Sequence, residues 1–265
     1  MKYAFWNTHN NEKINDYLEK LLVTYKLDFL GLAEYTANGK QLEETLKNIG
    51  LNYTFSPKIG SRLDIFYKGS GTKIIHCADN HYYTVKKIPY AKTWQIIAVV
   101  HLPCKMYGDF SGNSEILKDL LGDISRIRGK GQGSKVVIVG DFNMNPFDLP
   151  MIEATALQAI SSRSIVLKRK SRTFNGKNRE FFYNPMWNFV GDEKLPIGSY
   201  YYRSPQNAAM YWNTFDQFIV SEELVDEVIL DKIRFIDSIG TLQLKNERGE
   251  PEVSDHFPLY FEIGE

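Results

Sequence analysis

The sequence predicts an α/β fold built on mixed β-sheet, and three observations predict it. The chain opens with strand and helix patterns in alternation, βαβα. Five strand-like runs then follow one another between Tyr53 and Val100, broken by Gly and Pro, which is an antiparallel pattern. Later, Val136-Val137-Ile138-Val139 sets four β-branched residues side by side, the composition of a strand buried on both faces.

In chain order, Tyr3–Asn7 reads as the first strand, with Asn7 at its end. From Glu12 to about Tyr25, the residues Ile14, Tyr17, Leu18, Leu21 and Leu22 recur at helical spacing. Phe29–Glu34 is a second apolar strand ending on a carboxylate, which is costly to bury unpaired. On its own, Glu34 could equally cap the next helix. That helix runs from Gly39 to Ile49, with Leu42, Leu46 and Ile49 on one face. The five strand runs are Tyr53–Phe55, Leu63–Tyr67, Ile74–Cys77, Tyr82–Ile88 and Trp94–Val100, the last running into His101. A helix follows from Asn113 to about Arg128, and the linker Gly129–Ser134 feeds the Val136 strand. There Gly140 lets the backbone turn. Asp141 and Asn143, two apart, point the same way from an extended chain. Periodicity fades from Lys168 to Phe215. Thr214–Val220 is the next strand, Ser221 caps a short helix, Ile229–Phe235 is a further strand, and a last strand follows Pro258.

Composition bounds the function classes. The 265 residues are 43% hydrophobic and 24% charged, which suits a globular enzyme with a sizeable core, read here as one domain over 1–265. With 32 basic and 32 acidic residues the net charge is +0, so attraction to nucleic acid must come from a local patch. The strongest is Lys168, Arg169, Lys170 and Arg172, followed by aromatics that include Phe181, Phe182, Tyr183, Trp187, Tyr200, Tyr201, Tyr202, Tyr211 and Trp212. Basic residues beside aromatics can track a phosphate backbone and stack bases. Cys77 and Cys104 follow no metal or redox spacing and are expected to be buried thiols, which favours a reducing, cytoplasmic setting. No run approaches a membrane span, and the first residues do not read as a signal peptide.

Polar residues recur at strand ends: Asn7, Glu34, His101, Asp141, Asn143, Asp216, Asp255 and His256. With them the chain resembles the endonuclease/exonuclease/phosphatase superfamily, the deoxyribonuclease I-like proteins. The matching pieces are Trp6-Asn7, Gly31-Leu32-Ala33-Glu34, His101-Leu102, Gly140-Asp141-Phe142-Asn143, Phe215-Asp216 and Ser254-Asp255-His256-Phe257-Pro258, in the family's order and across nearly the whole chain. The chain departs from the pattern at Ala33, where many members have Gln, and at Phe215, where Leu or Ile is usual. Neither change removes a catalytic group.

The resemblance implies two mixed, mainly antiparallel sheets packed as a sandwich with helices outside, and a Mg²⁺-dependent phosphoesterase for which Mn²⁺ could substitute. It implies Glu34 as the main metal ligand, Asn7 near metal or phosphate, and Asp255 supporting a metal position or the same network. Asp141 would align and deprotonate the attacking water, and Asn143 would hold the phosphate or that water. His256 would donate to a phosphate oxygen, Asp216 would fix its tautomer, and His101 would contact phosphate or assist the leaving group. Whether Asp141 or His256 is the base stays open. A histidine at position 101 is similar to deoxyribonuclease I, neutral sphingomyelinases and inositol-polyphosphate phosphatases, whereas abasic-site endonucleases typically have Asn. The expected activity is a nuclease acting on DNA or RNA. The alternatives are a phosphatase or phosphodiesterase for a lipid or small phosphoester, and a catalytically silent binding domain.

Overall fold

The Val136 run was expected to be buried on both faces, and the side chains divide as that requires. Val137 and Val139 face one core cluster, while Val136 and Ile138 face another. The computed structural model describes residues 1–69, 74–104, 110–129, 135–203 and 210–264. Most of the expected linker, from residue 130 to 134, lies outside the described residues.

The first third holds β1 (Lys2–Asn7), α1 (Asn15–Tyr25), β2 (Phe29–Ala33), α2 (Gly39–Asn48), β3 (Tyr53–Ser56), β4 (Leu63–Lys68), β5 (Ile75–Asp79), β6 (Tyr83–Tyr90) and β7 (Thr93–His101). The middle holds α3 (Ser111–Arg128), β8 (Val136–Asp141), α4 (Leu149–Ile152), β9 (Ala159–Ile160), α5 (Arg163–Arg169), the hairpin β10 (Ser171–Phe174) and β11 (Lys177–Glu180), and β12 (Phe182–Tyr183). The last part holds β13 (Tyr200–Tyr201), β14 (Trp212–Asn213), β15 (Asp216–Val220), β16 (Arg234–Phe235), β17 (Ser238–Ile239), β18 (Leu242–Gln243) and β19 (Leu259–Glu262).

Two large sheets result. One runs β16-β19-β1-β2-β4-β3, and the other β5-β6-β7-β8-β15-β12-β9. Both are mixed: β1–β2 and β7–β8 are parallel, and most other pairs antiparallel. The sheets pack face to face, with β1 and β2 against β8 and β4 against β7. Tyr3, Phe5, Phe29 and Phe261 of the first sheet share a core with Val99, Val139 and Phe218 of the second. The Phe218 and Phe261 rings stack across the gap at 3.8 Å, and the Tyr3 hydroxyl donates to Gln95 Oε1 at 2.7 Å. A Cβ on Gly31 would stand 3.2 Å from Val99, so glycine lets the layers approach there without displacing that side chain. Outside the second sheet, α3 lays Leu117, Leu120 and Ile124 on Val100 and Ile138. Outside the first, α1 and α2 bury Leu18, Leu21, Leu22, Leu42 and Leu46.

Several expectations are corrected. Gly140 is not a turn but an interior residue of β8, paired with Val100 and Gln217. Its glycine is required by proximity, since a Cβ would lie 2.0 Å from the Val100 carbonyl oxygen. Ile229–Phe235 is not one strand: the chain touches the last strand at Val228–Ile263 and again at Phe235–Leu259, and loops outward between through a 3₁₀ turn at Leu230–Lys232. Ser221 does not cap by its side chain; its hydroxyl accepts from Val136 N, and the following turn, Glu222–Glu227, is 3₁₀. The stretch Lys168–Phe215 holds short strands and a 3₁₀ helix at Pro185–Phe189. The β10–β11 hairpin is exposed on both faces, so it leaves no alternation to read. Neither cysteine is buried: Cys77 is half-buried and Cys104 exposed.

Candidate active site

β1, β2, β7 and β8 run the same way across the facing sheets, so their C-terminal ends share one rim, and antiparallel β15 begins there. This places Asn7, Glu34, His101, Asp141 and Asp216 together, with His101, Asp141 and Asp216 aligned across three adjacent strands. The turn before β19 adds Asp255 and His256, held by Ser254, whose hydroxyl donates to the Asn7 carbonyl at 2.7 Å and accepts from His256 N. The Trp6 indole N–H donates to the His256 carbonyl at 2.8 Å.

Asn143 reaches the same place by a turn, not by strand alternation. β8 ends at Asp141, Asn143 is left-handed at φ 50°, and its N–H closes onto Asp141 Oδ1 at 2.8 Å. The Asn143 amide also donates to the Leu102 carbonyl at 2.8 Å. Glu34 likewise has φ 51°, and His9 and Asn10 facing it are left-handed as well. For Glu34 this backbone costs roughly 1–3 kcal/mol, a strain typical of functional sites. It is imposed by the loop after β1, where Asn10 N and the Thr8 hydroxyl both donate to the Glu34 carbonyl. Glu34 caps no helix; Asn38 caps α2 by accepting from Gln41 N.

One atom is the focus of the site. Asp141 Oδ2 lies 3.0 Å from Asn7 Nδ2, 3.4 Å from Asn143 Nδ2, and 3.8 Å from both His101 Nε2 and His256 Nε2. Asn7 Nδ2 also donates to Glu34 Oε1 at 3.2 Å, and His101 Nε2 stands 3.5 Å from that oxygen. Behind His256, its Nδ1 meets Asp216 Oδ2 at 2.6 Å. Asp216 is fully buried, and its backbone N–H is held by the Ser199 hydroxyl. Burial alone would lower the His256 pKa. The carboxylates of Asp216 and Asp141, facing its two nitrogens, outweigh burial and raise it to about 10. Burial raises Asp216 as well, so the pair keeps its shared proton through the neutral range.

These groups line a cleft of about 890 Å³. All eight strand-end residues meet at it, seven on its wall and Asp216 behind His256. Sequence reading missed further lining residues: His9, Arg62, His81, Tyr82 and Cys104. His9 Nδ1 lies 3.3 Å from Asp255 Oδ2; its place two residues past Asn7 was the available signal. Ser254, which holds His256 from behind, sits in the matched stretch Ser254–Pro258, whereas Ser199, which holds Asp216, leaves no signal of its own.

The basic residues Lys168, Arg169, Lys170 and Arg172 are not brought to this cleft. α5 packs against the 3₁₀ turn Glu222–Glu227, which leaves the far end of β15, and that end is about 14 Å from Asp216 at the rise of an extended chain. Lys170 pairs with Glu222 at 3.1 Å, and Arg172 donates to Gln158 Oε1 at 2.6 Å.

Asp141, Asp216 and His256 each offer a ligand atom within 4.8 Å of the others, close enough to hold a metal ion. Glu34 and Asp255 add partly exposed carboxylates on the cleft side. Oxygen donors of this kind suit hard divalent cations. Among the described lining residues Arg62 is the one Lys or Arg, so the carboxylates there outnumber the fixed positive charges.

No protein-family model matches the chain, and no curated protein matches it by sequence. Solved structures do. The TDP2 of D. rerio complexed with single strand DNA product is 14% identical with a TM-score of 0.60, covering 100% of this chain and 99% of that one. The 3'-5' exonuclease NExo of Neisseria meningitidis is 14% identical with a TM-score of 0.59, covering 100% of both chains. An AP endonuclease from Archaeoglobus fulgidus is 16% identical with a TM-score of 0.57, covering 99% of each. No helix among the described residues is long and apolar enough to cross a membrane. With two facing mixed sheets and end-to-end likeness to these structures, the chain has a deoxyribonuclease I-like fold.

Proposed function

We propose that the chain is a divalent-cation-dependent nuclease that hydrolyses phosphodiester bonds in nucleic acid by water attack at phosphorus. One observation carries this: Asp141 Oδ2 stands at the meeting point of Asn7, Asn143, His101 and His256. A carboxylate held by side-chain amides and flanked by two imidazoles can orient a water and take its proton, while the imidazoles face incoming phosphate oxygens. In this reading Asp141 is the base and Asn143 steadies it. His256, kept protonated by Asp216, donates from Nε2 to a non-bridging phosphate oxygen. His101 serves phosphate or the leaving oxygen.

Glu34, with Asn7 and Asp255 beside it, would hold the cation, magnesium or in its place manganese, which would neutralise charge on the phosphate and on the departing oxygen. Glu34 suits a hydrated ion better than the trio of Asp141, Asp216 and His256. That trio is at most 5% exposed, and Asp216 Oδ2 and His256 Nδ1 are already engaged with each other at 2.6 Å. The basic segment at Lys168–Arg172 would act only on a strand long enough to reach it. The half-buried and exposed thiols fit a reducing, cytoplasmic setting. A phosphatase or phosphodiesterase acting on a lipid or small phosphoester is the second reading, favoured by the single arginine among the described lining residues.

The test is hydrolysis of oligonucleotides, phosphoinositides and bis-p-nitrophenyl phosphate with magnesium or manganese. Cleavage should vanish in chelator and in Asp141→Ala and His256→Ala, with circular dichroism unchanged. Equal turnover by either variant refutes the assignment.

A further inference from the structure

The cleft has aromatic flanks that the proposed chemistry does not use. On one side the β13–β14 hairpin is tied to the reacting centre by a backbone bridge between Tyr200 and His256, and the Tyr200 ring lies 4.8 Å from the His256 ring. Tyr200 of β13 and Tyr202, just past its end, hold their rings 6.4 Å apart and within 17° of parallel. Phe215 continues the row inward, 5.3 Å from Tyr200. The row therefore runs from the imidazole outward, and its last member, Tyr202, is 51% exposed. On the other side Tyr82 accepts His101 N–H at its carbonyl, and His81 stands edge-on to its ring.

We propose that Tyr200 and Tyr202 form a stacking platform for an unpaired nucleobase adjoining the scissile phosphate, so that single-stranded nucleic acid is preferred to duplex. This rests on the phosphoesterase reading and names its substrate class. Stacking needs a free base face, which a duplex keeps inside its own stack. Duplex binding instead draws on many Lys and Arg contacts to phosphate. The described lining offers Arg62 alone, and the main basic segment lies at the far end of β15. Aromatic area beside a described lining with one Lys or Arg fits a strand held by its bases. The shared chemistry, a nucleobase next to a phosphodiester, occurs in a single strand and in a free dinucleotide.

The experiment measures binding by fluorescence anisotropy in the full chain carrying Asp141→Asn, which prevents cleavage. Its probes are a short oligothymidylate, the same strand in a duplex, and dithymidine monophosphate as competitor. Tyr202→Ala, at an exposed position, should weaken single-strand binding about tenfold or more, and Tyr202→Phe should restore it to within about twofold. The duplex should bind more weakly and ignore Tyr202→Ala. Competition by the dinucleotide as strong as that by the strand would assign the platform to free dinucleotides; weak competition assigns it to strands. Duplex binding equal to single-strand binding, or indifference of the strand to Tyr202→Ala, overturns the inference. A separate arm keeps the two readings apart: wild type against Asp141→Ala on bis-p-nitrophenyl phosphate, which has no nucleobase. Loss of the Tyr202 effect with that hydrolysis intact sinks only the platform; absence of hydrolysis in wild type sinks the phosphoesterase reading itself.

Discussion

The two ends of β15 carry charge in opposite ways. At its start, Asp216, His256 and Asp141 are almost wholly buried and fixed on one another at short range, with Asn7, His101 and Glu34 added from the facing sheet and the neighbouring strand. Past its end, Glu222 meets Lys170 of the basic segment at the surface. Buried charge without a fixed partner is costly, so it persists where strand ends lock every member in place. Surface pairs of the second kind contribute little, about 0–1 kcal/mol. The lesson is that density of charge in a sequence does not show which charges the fold brings together; convergence of strand ends does.

The sharpest way to break this comparison is Asp141→Ala. It removes the atom on which two amide donors and two imidazole nitrogens converge, and metal-dependent turnover should fall roughly a thousandfold. A drop under about tenfold would mean that the convergence is structural. Next in size is Gly140→Ala. The added Cβ would press on the Val100 carbonyl, and β7 and β8 would have to part just where they carry His101 and Asp141. Chemical denaturation should show a loss of about 3 kcal/mol or more. Unchanged stability would show that the two strands have slack at the rim.

Much of the candidate site's rim was legible because its residues close apolar strands that are easy to see. Val136–Val139 before Asp141 and Phe29–Ala33 before Glu34 are buried runs, and a polar residue ending each one stands out. The turns that finish the geometry were not legible. The left-handed backbone at Glu34 and Asn143 is set by the loops at Thr8–Asn10 and Leu102, distant in sequence. Ser199 looks like any loop serine until its hydroxyl is seen beneath Asp216. The position of the basic segment was hidden for a different reason. Its charges are adjacent in the chain, whereas their placement depends on β9 and β12 forming the sheet edge farthest from β5.

Asp216→Asn sharpens the buried half of the comparison. Without that carboxylate His256 loses the main group raising its pKa, and turnover should fall roughly ten- to hundredfold. The sign of the stability effect follows. A folded pKa near 10 lies above the unfolded value of about 6.5, so this contribution is full below pH about 6.5 and is lost as pH rises through 10. Wild-type melting temperature should therefore decline across that alkaline window, and Asp216→Asn should flatten the decline. A parallel curve for the variant would show that the proton sits elsewhere.

The smallest effect belongs to the far end of β15. Lys168, Arg169, Lys170 and Arg172 changed together to Gln should leave hydrolysis of a short oligonucleotide within about twofold, because they do not line the cleft and α5 packs past the far end of β15 from Asp216. Only a long strand should feel the change, as a shallower fall of affinity with salt. Surface ion pairs such as Lys170–Glu222 would be lost with little cost in melting temperature. If the short substrate slowed by tenfold or more at constant stability, the basic segment would have to approach the cleft during turnover. The two ends of β15 would then form one working surface, and the contrast drawn between them would fail.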